Sequence, residues 1–293
     1  MSLPAAWAPP APTSLAPTRP APDSGPAPDS GPAPDSGPVV DSGPVVDSGP
    51  VVTPGPVVTP GPVGRPRPVV RPRPGAVYEA VLARPGWQLW AHGPAGWQRL
   101  TIDRWRSAPD AGDESLLARC TGATLDVGCG PGRLAAALAS RGTVVLGIDV
   151  APLAVALTRA AGAPALRRDV FGPLPGAGRW HTALLADGNI GIGGHPERLL
   201  ARVGRLLAPA GAALVELAPP GTPTQAYLTV LEAVPASGPA PAGAGEVAAS
   251  SPFRWAEVSA DDIGTLAEAA GLRLTDRWRE RGRYFARLER PSR

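Results

Sequence analysis

From residue 111 onward this 293-residue chain predicts an α/β fold, a doubly wound and mostly parallel sheet closed by an antiparallel C-terminal hairpin. Three observations predict it. Strand and helix signals alternate from Thr121 to Glu289. A glycine-rich segment, Leu125 to Arg133, lies between the first strand of that series and its helix. Residues 1–75 hold 22 of the 40 Pro and 9 of the 36 Gly, so the large apolar side chains are left to the remaining residues. That remainder is long enough to bury one sizeable core.

The elements follow in order. Ala21 to Pro74 divide into nine hexapeptides: APDSGP three times, VVDSGP twice, VVTPGP twice, then VGRPRP and VVRPRP. Every unit contains Pro, which cannot donate to a β-ladder, so residues 1–75 are expected to be a disordered tail leaning to polyproline II. Its RPRP ends suit a Pro-binding module; the alternatives are a spacer and a dispensable solvated extension. Residues 76–110 are read as a cap: a helical turn or two over Val77–Ala83, then a hairpin of Trp87–Ala91 and Trp97–Ile102 around His-Gly-Pro-Ala-Gly. Residues 111–293 form the main domain, whose first helix starts after Asp110 with Asp113 and Glu114 where the helix dipole favours acids.

The domain then reads strand Ala123–Val127, helix Arg133–Ser140, strand Thr143–Ile148, helix Pro152–Ala161, short strand Ala165–Arg168 and strand His181–Ala186. It continues with a helix Pro196–Leu207, a strand Ala212–Leu217 and a Pro/Gly/Ala-rich insertion to about Ser251. A helix Asp261–Ala270 and a hairpin of Leu272–Glu280 with Arg283–Glu289 complete it. Ligands of such sheets bind outside the carboxyl ends of the strands.

Composition excludes several classes. The first residues lack the basic and apolar regions of a secretory signal, and Arg and Asp interrupt every apolar stretch before it reaches membrane-spanning length. Cys120 and Cys129 are too few for a disulfide framework and lack metal-ligand spacing. A cytoplasmic, metal-free protein with no membrane partner is expected. The formal charge is +3 and its basic side is all Arg. That bias is weak evidence for nucleic-acid binding.

The segment Leu125-Asp126-Val127-Gly128-Cys129-Gly130-Pro131-Gly132-Arg133 carries the chemistry. Glycines let the backbone approach a ligand, and the following helix offers its N-terminus to an anion. A dinucleotide fingerprint needs a third glycine where Arg133 stands. Asp126, two residues before Gly128, suits a ligand with an ammonium group and would oppose a pyrophosphate. The pattern D-x-G-x-G-P-G resembles motif I of the class I S-adenosylmethionine-dependent methyltransferases, whose fold is Rossmann-like. Asp149 with Val150 closes the second strand, where that family holds the ribose hydroxyls. Asp169 and Val170 follow the third, beside the adenine, and Asp187-Gly188-Asn189 ends the fourth, facing methyl donor and acceptor.

The resemblance implies S-adenosyl-L-methionine as cofactor, bound by Asp126, Gly128, Cys129, Gly130, Gly132, Asp149, Val150, Asp169 and Val170. Its methionine carboxylate would meet the helix N-terminus and the glycine amides. It also implies transfer of a methyl group to an acceptor, expected to be a small molecule. Asp187 and His195 are the catalytic candidates, His195 as a base at a helix start; the alternative for His195 is a residue with no chemical role. Trp87, Trp90, Trp97 and Trp105 suit either an aromatic lid or a hairpin packed on the sheet's flank. In the closing hairpin Arg273, Arg277, Arg279, Arg281, Arg283 and Arg287 all fall at odd positions, a stripe that suits phosphate or a solvated edge. An RNA methyltransferase using that stripe, and a non-catalytic binding or scaffold protein, are the alternative functions.

Overall fold

The computed structural model describes residues 71–238 and 249–292; the expectation for the repeat tail falls outside them, apart from its last residues. A cap comes first. It consists of α1 (Pro74–Ala83), β1 (Trp87–Gly93), β2 (Gly96–Leu100) and α2 (Ile102–Arg106). The main sheet and its helices follow as α3 (Ala111–Leu117), β3 (Thr124–Val127), α4 (Arg133–Ser140), β4 (Val145–Asp149), α5 (Pro152–Ala160), β5 (Ala165–Arg167) and β6 (Trp180–Leu185). A 3-10 segment (Asn189–Gly194) leads into α6 (Pro196–Leu206), β7 (Leu207–Leu217), β8 (Gln225–Thr229), β9 (Leu231–Pro235) and β10 (Phe253–Glu257). The chain closes with α7 (Ile263–Ala269), β11 (Arg273–Glu280) and β12 (Arg283–Glu289).

Local chemistry sets the helix starts. Pro74, Pro152 and Pro196 occupy first-turn positions, where the missing N–H would be unpaired anyway. Asp110 caps α3 in a reciprocal box: its carboxylate accepts from the Asp113 amide at 2.8 Å, and the Asp113 carboxylate accepts from the Asp110 amide at 3.1 Å.

Seven strands form the central sheet in the order β11-β12-β7-β6-β3-β4-β5. β5, β4, β3, β6 and β7 run parallel, while β12 is antiparallel to both β7 and β11. Both faces are buried. Leu125, Val127, Ala183, Leu185, Ala213 and Val215 pack under α6 and α7, and Leu184 and Leu214 pack under α3 and α4 with Phe285. The order steps outward in both directions from β3, which places the expected ligand crevice at the carboxyl ends of β3 and β6. Among the described residues no helix is long and apolar enough to cross a membrane.

The structure departs from the sequence reading in four places. Thr101 and Ile102 do not extend the hairpin: Ile102 buries its side chain and opens α2. The stretch after Leu217 contains β8, β9 and β10, of which β9 pairs with β1 to complete the cap sheet β2-β1-β9. Strand β7 begins at Leu207, before the expected Ala212, with Ala210 at φ 60° where the register with β6 shifts.

The fourth departure concerns the Arg stripe. A bulge between Leu274 and Asp276 reverses the facing of β11, so Arg277 and Arg279 lie opposite Ala286 and Tyr284. Arg273 and Arg287 share the other face with the stacked Trp278 and Phe285. Arg281 sits in the turn at φ 49°. The six arginines are therefore divided between two faces and a turn. Arg283 is further committed to Glu216, Asp110 and Asp113.

Gly132 caps α4 at φ 98°, and a Cβ there would lie 2.7 Å from the Thr158 Cα on α5. Backbone strain and overpacking each cost about 1–3 kcal/mol, so Gly132→Ala is expected to destabilise the chain by at least about 2 kcal/mol. A urea titration measures this, and an unchanged midpoint would refute the packing assigned to the α4–α5 contact.

Candidate functional site

The strand ends converge on one cavity of about 770 Å³. Thr124 to Val127 are all buried, and their alternation points Leu125 and Val127 into one core and Asp126 toward the other face. Asp126 is 3% exposed, and its Oδ2 has no hydrogen-bond partner among the described residues. Burial, then the neighbouring Asp187, pushes its carboxyl up to about 7, against the pull of Arg133.

The glycine loop is hung on β4. The amides of Gly128 and Cys129 donate to the Ile148 carbonyl at 2.9 and 3.0 Å, and the Gly132 amide donates to the Cys129 carbonyl at 3.0 Å. The Gly130 amide donates to Asp149 Oδ2 at 3.0 Å. The expectation that the glycine amides take a carboxylate is corrected here, because all four are engaged within the protein. Gly128, Cys129 and Gly130 line the cavity as a close-approaching wall, whereas Gly132 does not line it and serves the α4–α5 packing. The Cys129 thiol lies in hydrogen-bond range of the Thr158 hydroxyl, and burial raises its pKa.

At the end of β4, Asp149 Oδ1 accepts from the Ala151 amide at 2.8 Å, so this carboxylate joins the loops after β3 and β4. Burial raises its pKa, opposed by the same amides. Val150 beside it is 59% exposed and faces the cavity. After β5, Asp169 Oδ1 accepts from the Phe171 amide at 2.9 Å, and Asp169, the buried Val170 and Phe171 all line the cavity. Arg202 fixes this loop through the Val170 and Gly172 carbonyls.

The end of β6 carries a buried ion network. Asp187, at φ 53°, pairs its Oδ1 with Arg104 at 2.7 Å and its Oδ2 with Arg133, and its amide donates to Glu216 Oε2 at 2.7 Å. Arg133 also pairs with the fully buried Asp113, which binds Arg104 at 3.0 Å and Arg283 at 2.9 Å. Arg283 grips both oxygens of Glu216 at 2.7 Å. Asn189 donates to the Val127 and Gly128 carbonyls.

The two catalytic candidates sit differently relative to the cavity. Asp187 lines the cavity with each of its oxygens paired to a guanidinium group, and burial outweighs those pairs to raise its pKa. His195 is exposed, precedes α6 without capping it, and lies off the cavity wall.

Sequence reasoning missed much of the remaining wall. Tyr78 of α1 and Trp105 of α2 meet edge to face at 6.0 Å, and Leu89, Ala91 and Leu100 of the cap hairpin stand on the same side. Of the four clustered tryptophans only Trp105 lines the cavity; Trp87, Trp90 and Trp97 do not. Tyr227, Thr229, Phe253 and Trp255 of the β8–β10 pair complete the wall. The dense spacing of Trp signalled a cap, but nothing local marked β8 and β10 as its partners.

Residues 124–211 match the family model of a methyltransferase domain. The structure is similar to that of an S-adenosylmethionine-dependent methyltransferase from Bacteroides fragilis, solved in complex with S-adenosyl-L-homocysteine. The TM-score is 0.58 at 20% identity, over 77% of this chain and 97% of that one. Weaker likeness extends to the 1,6-didemethyltoxoflavin-N1-methyltransferase of Burkholderia thailandensis, with TM-score 0.44 at 20% identity over 66% of this chain and 82% of that one. The CcbJ methyltransferase of Streptomyces caelestis gives TM-score 0.49 at 17% identity over 64% of this chain and 92% of that one. Among curated proteins, none matches the chain. The fold and the glycine-loop segment together define a class I methyltransferase architecture. By sequence, residues 124–211 carry a methyltransferase domain, and the larger body has the fold of an S-adenosylmethionine-dependent methyltransferase.

The buried Asp126 generates a stability prediction. Its folded pKa lies above the unfolded value of 3.8, so its contribution is full below that pH and is lost progressively as pH rises to about 7. Asp126→Asn removes a charge whose cost accrues between about pH 3.8 and 7 and is full above that range. The variant is expected to melt higher than the parent at about pH 8 and level with it below about pH 3.8. Thermal unfolding at both values tests this; a lower melting temperature at pH 8 would contradict the assigned burial.

Proposed function

We propose that the chain is an enzyme that transfers a methyl group from S-adenosylmethionine to a small-molecule acceptor. The observation that carries this reading is the convergence of Asp126, Asp149 and Asp169, from three successive parallel strands, with Gly128 and Gly130 on the wall of one cavity. The donor set fits the cofactor. The unpartnered Asp126 Oδ2 matches an ammonium group, and Asp149, braced by two amides, keeps lone pairs for two neighbouring hydroxyls. Val150, Val170 and Phe171 offer an apolar slot for an adenine, with Asp169 at its edge for the exocyclic amine.

Bound S-adenosylmethionine supplies an activated methyl group on a sulfonium that departs as a neutral thioether. The chain's own contribution is position. Asp187 and Glu216 at the ends of β6 and β7 are tied to guanidinium groups, so they hold the floor of the cavity rigid instead of moving a proton. A small acceptor suits a cavity bounded by the cap, the strand ends and β8–β10. The division of the hairpin arginines between two faces removes the continuous stripe that an RNA substrate would use.

Calorimetry with S-adenosylmethionine and S-adenosylhomocysteine tests the reading. Asp126→Ala and Asp149→Ala are each expected to weaken binding at least about tenfold, the loss of one charge-assisted contact. Wild-type affinity is expected to rise as pH passes upward through the Asp126 pKa of about 7, and Asp126→Asn to abolish that rise. Affinities unaltered by all three substitutions would exclude the site.

A further inference from the structure

We infer that the β8–β10 pair is an acceptor-recognition wall for a molecule bearing a cationic nitrogen, a protonated or quaternary amine on an apolar body. This rests on the methyltransferase reading and names the class of acceptor. In the antiparallel register Phe253 lies opposite Thr229, Trp255 opposite Tyr227 and Glu257 opposite Gln225. Directly opposed residues share a face, so three aromatic rings, Phe253, Trp255 and Tyr227, and one carboxylate stand together. Phe253, Trp255, Glu257, Tyr227 and Thr229 all line the cavity that holds Asp126 and Asp149. Phe253 and Trp255 pack edge to face at 6.2 Å.

Glu257 differs from the other carboxylates of this cavity. Asp149, Asp169, Asp187 and Glu216 accept from backbone amides or guanidinium groups, and Asp126 belongs to the donor end. Glu257 is half-buried, and its carboxylate has no hydrogen bond or ion pair among the described residues. It lies diagonally across the ladder from Tyr227 and near enough that its charge, added to burial, raises the phenol pKa. A carboxylate without a counter-ion beside the faces of Tyr and Trp attracts a cation twice, through its charge and through the rings, which act within about 6 Å of their centroids. Arg254 and Arg168 also line the cavity, but both are exposed, and the Arg254 Cβ is turned toward Gly194 on the 3-10 segment.

The wall adjoins the reaction site. A Cβ on Gly191, in the segment that follows Asp187, would lie 2.1 Å from the Ala256 carbonyl and 2.6 Å from the Trp255 indole nitrogen. The acceptor is thus gripped beside the end of β6. A nitrogen held as a cation has no lone pair to donate, so Glu257 anchors the acceptor at a group other than the atom that receives the methyl.

The test uses the full chain saturated with S-adenosylhomocysteine and three probes: phenethylamine, benzyltrimethylammonium and phenylpropanoate. Calorimetry is expected to show both cations binding at least about tenfold tighter than the anion. Glu257→Gln should bring the three within about threefold of one another, and Glu257→Asp should keep the preference. S-adenosylhomocysteine affinity should be unchanged in both variants. If S-adenosylhomocysteine fails to bind the wild type, the methyltransferase reading falls. If it binds and the cation preference is absent, or survives in Glu257→Gln, the acceptor assignment is overturned.

Discussion

Asp113 is the fixed point of this molecule. It is fully buried on α3, and three guanidinium groups close on it: Arg104 from the cap, Arg133 from the first turn of α4 and Arg283 from the last strand. Such a cluster contributes little net stability, because desolvating each ion offsets most of the attraction. Its effect is geometric. Removing one partner would strand a buried charge, so α2, α3, α4 and β12 are held in a single arrangement. Asp187 and Glu216 join from the ends of β6 and β7, which places the network directly beneath the cavity.

The network also explains the backbone after β6. Asp187 holds a left-handed conformation that a side chain adopts only under constraint, and two ion pairs with an amide bond to Glu216 supply that constraint. The turn swings Gly188 and Asn189 back over the glycine loop, where the Asn189 amide group caps the carbonyls of Val127 and Gly128. Strand ends that would otherwise be independent loops become one rigid floor. For a reaction whose leaving group is already activated, rigid placement is the relevant contribution.

Much of this was legible in the sequence, and the division follows distance along the chain. Motif I, Asp149 and Asp169 are local patterns at strand ends, and alternation of apolar residues located the parallel strands. The ion network was not legible, because Asp113, Arg133, Asp187 and Arg283 are far apart in sequence and each alone reads as a helix-terminus or loop residue. Arg133 shows the difference: in the sequence it only occupies the place of a missing glycine, whereas in the fold it is the buried link between α3 and β6. Strands β8 to β10 were hidden by Pro and Gly counts, although Gln225–Thr229 carries Tyr and Thr and Phe253–Glu257 carries Phe and Trp, residues that favour strands. The bulge between Leu274 and Asp276 leaves no mark on composition, yet it shifts the parity of everything after it.

The cavity's carboxylates finally separate by how they are satisfied. Asp187 and Glu216 are tied to guanidinium groups and hold the protein's own geometry, whereas Asp149 and Asp169 are aimed by backbone amides and keep lone pairs toward the cavity. Asp126 keeps one buried oxygen unpartnered and its pKa is driven to about 7, a standing penalty above that pH. Glu257 has no counter-ion among the described residues and shares its face of the β8–β10 pair with aromatic side chains. A fold that spends three arginines on tightening one corner of the site leaves these two acids unmatched, and they lie on different elements, one at the glycine loop and one on the β8–β10 wall. The pattern of satisfied and unsatisfied charge thus gives the cavity two ends of the same electrostatic preference, with a rigid floor of ion pairs between them.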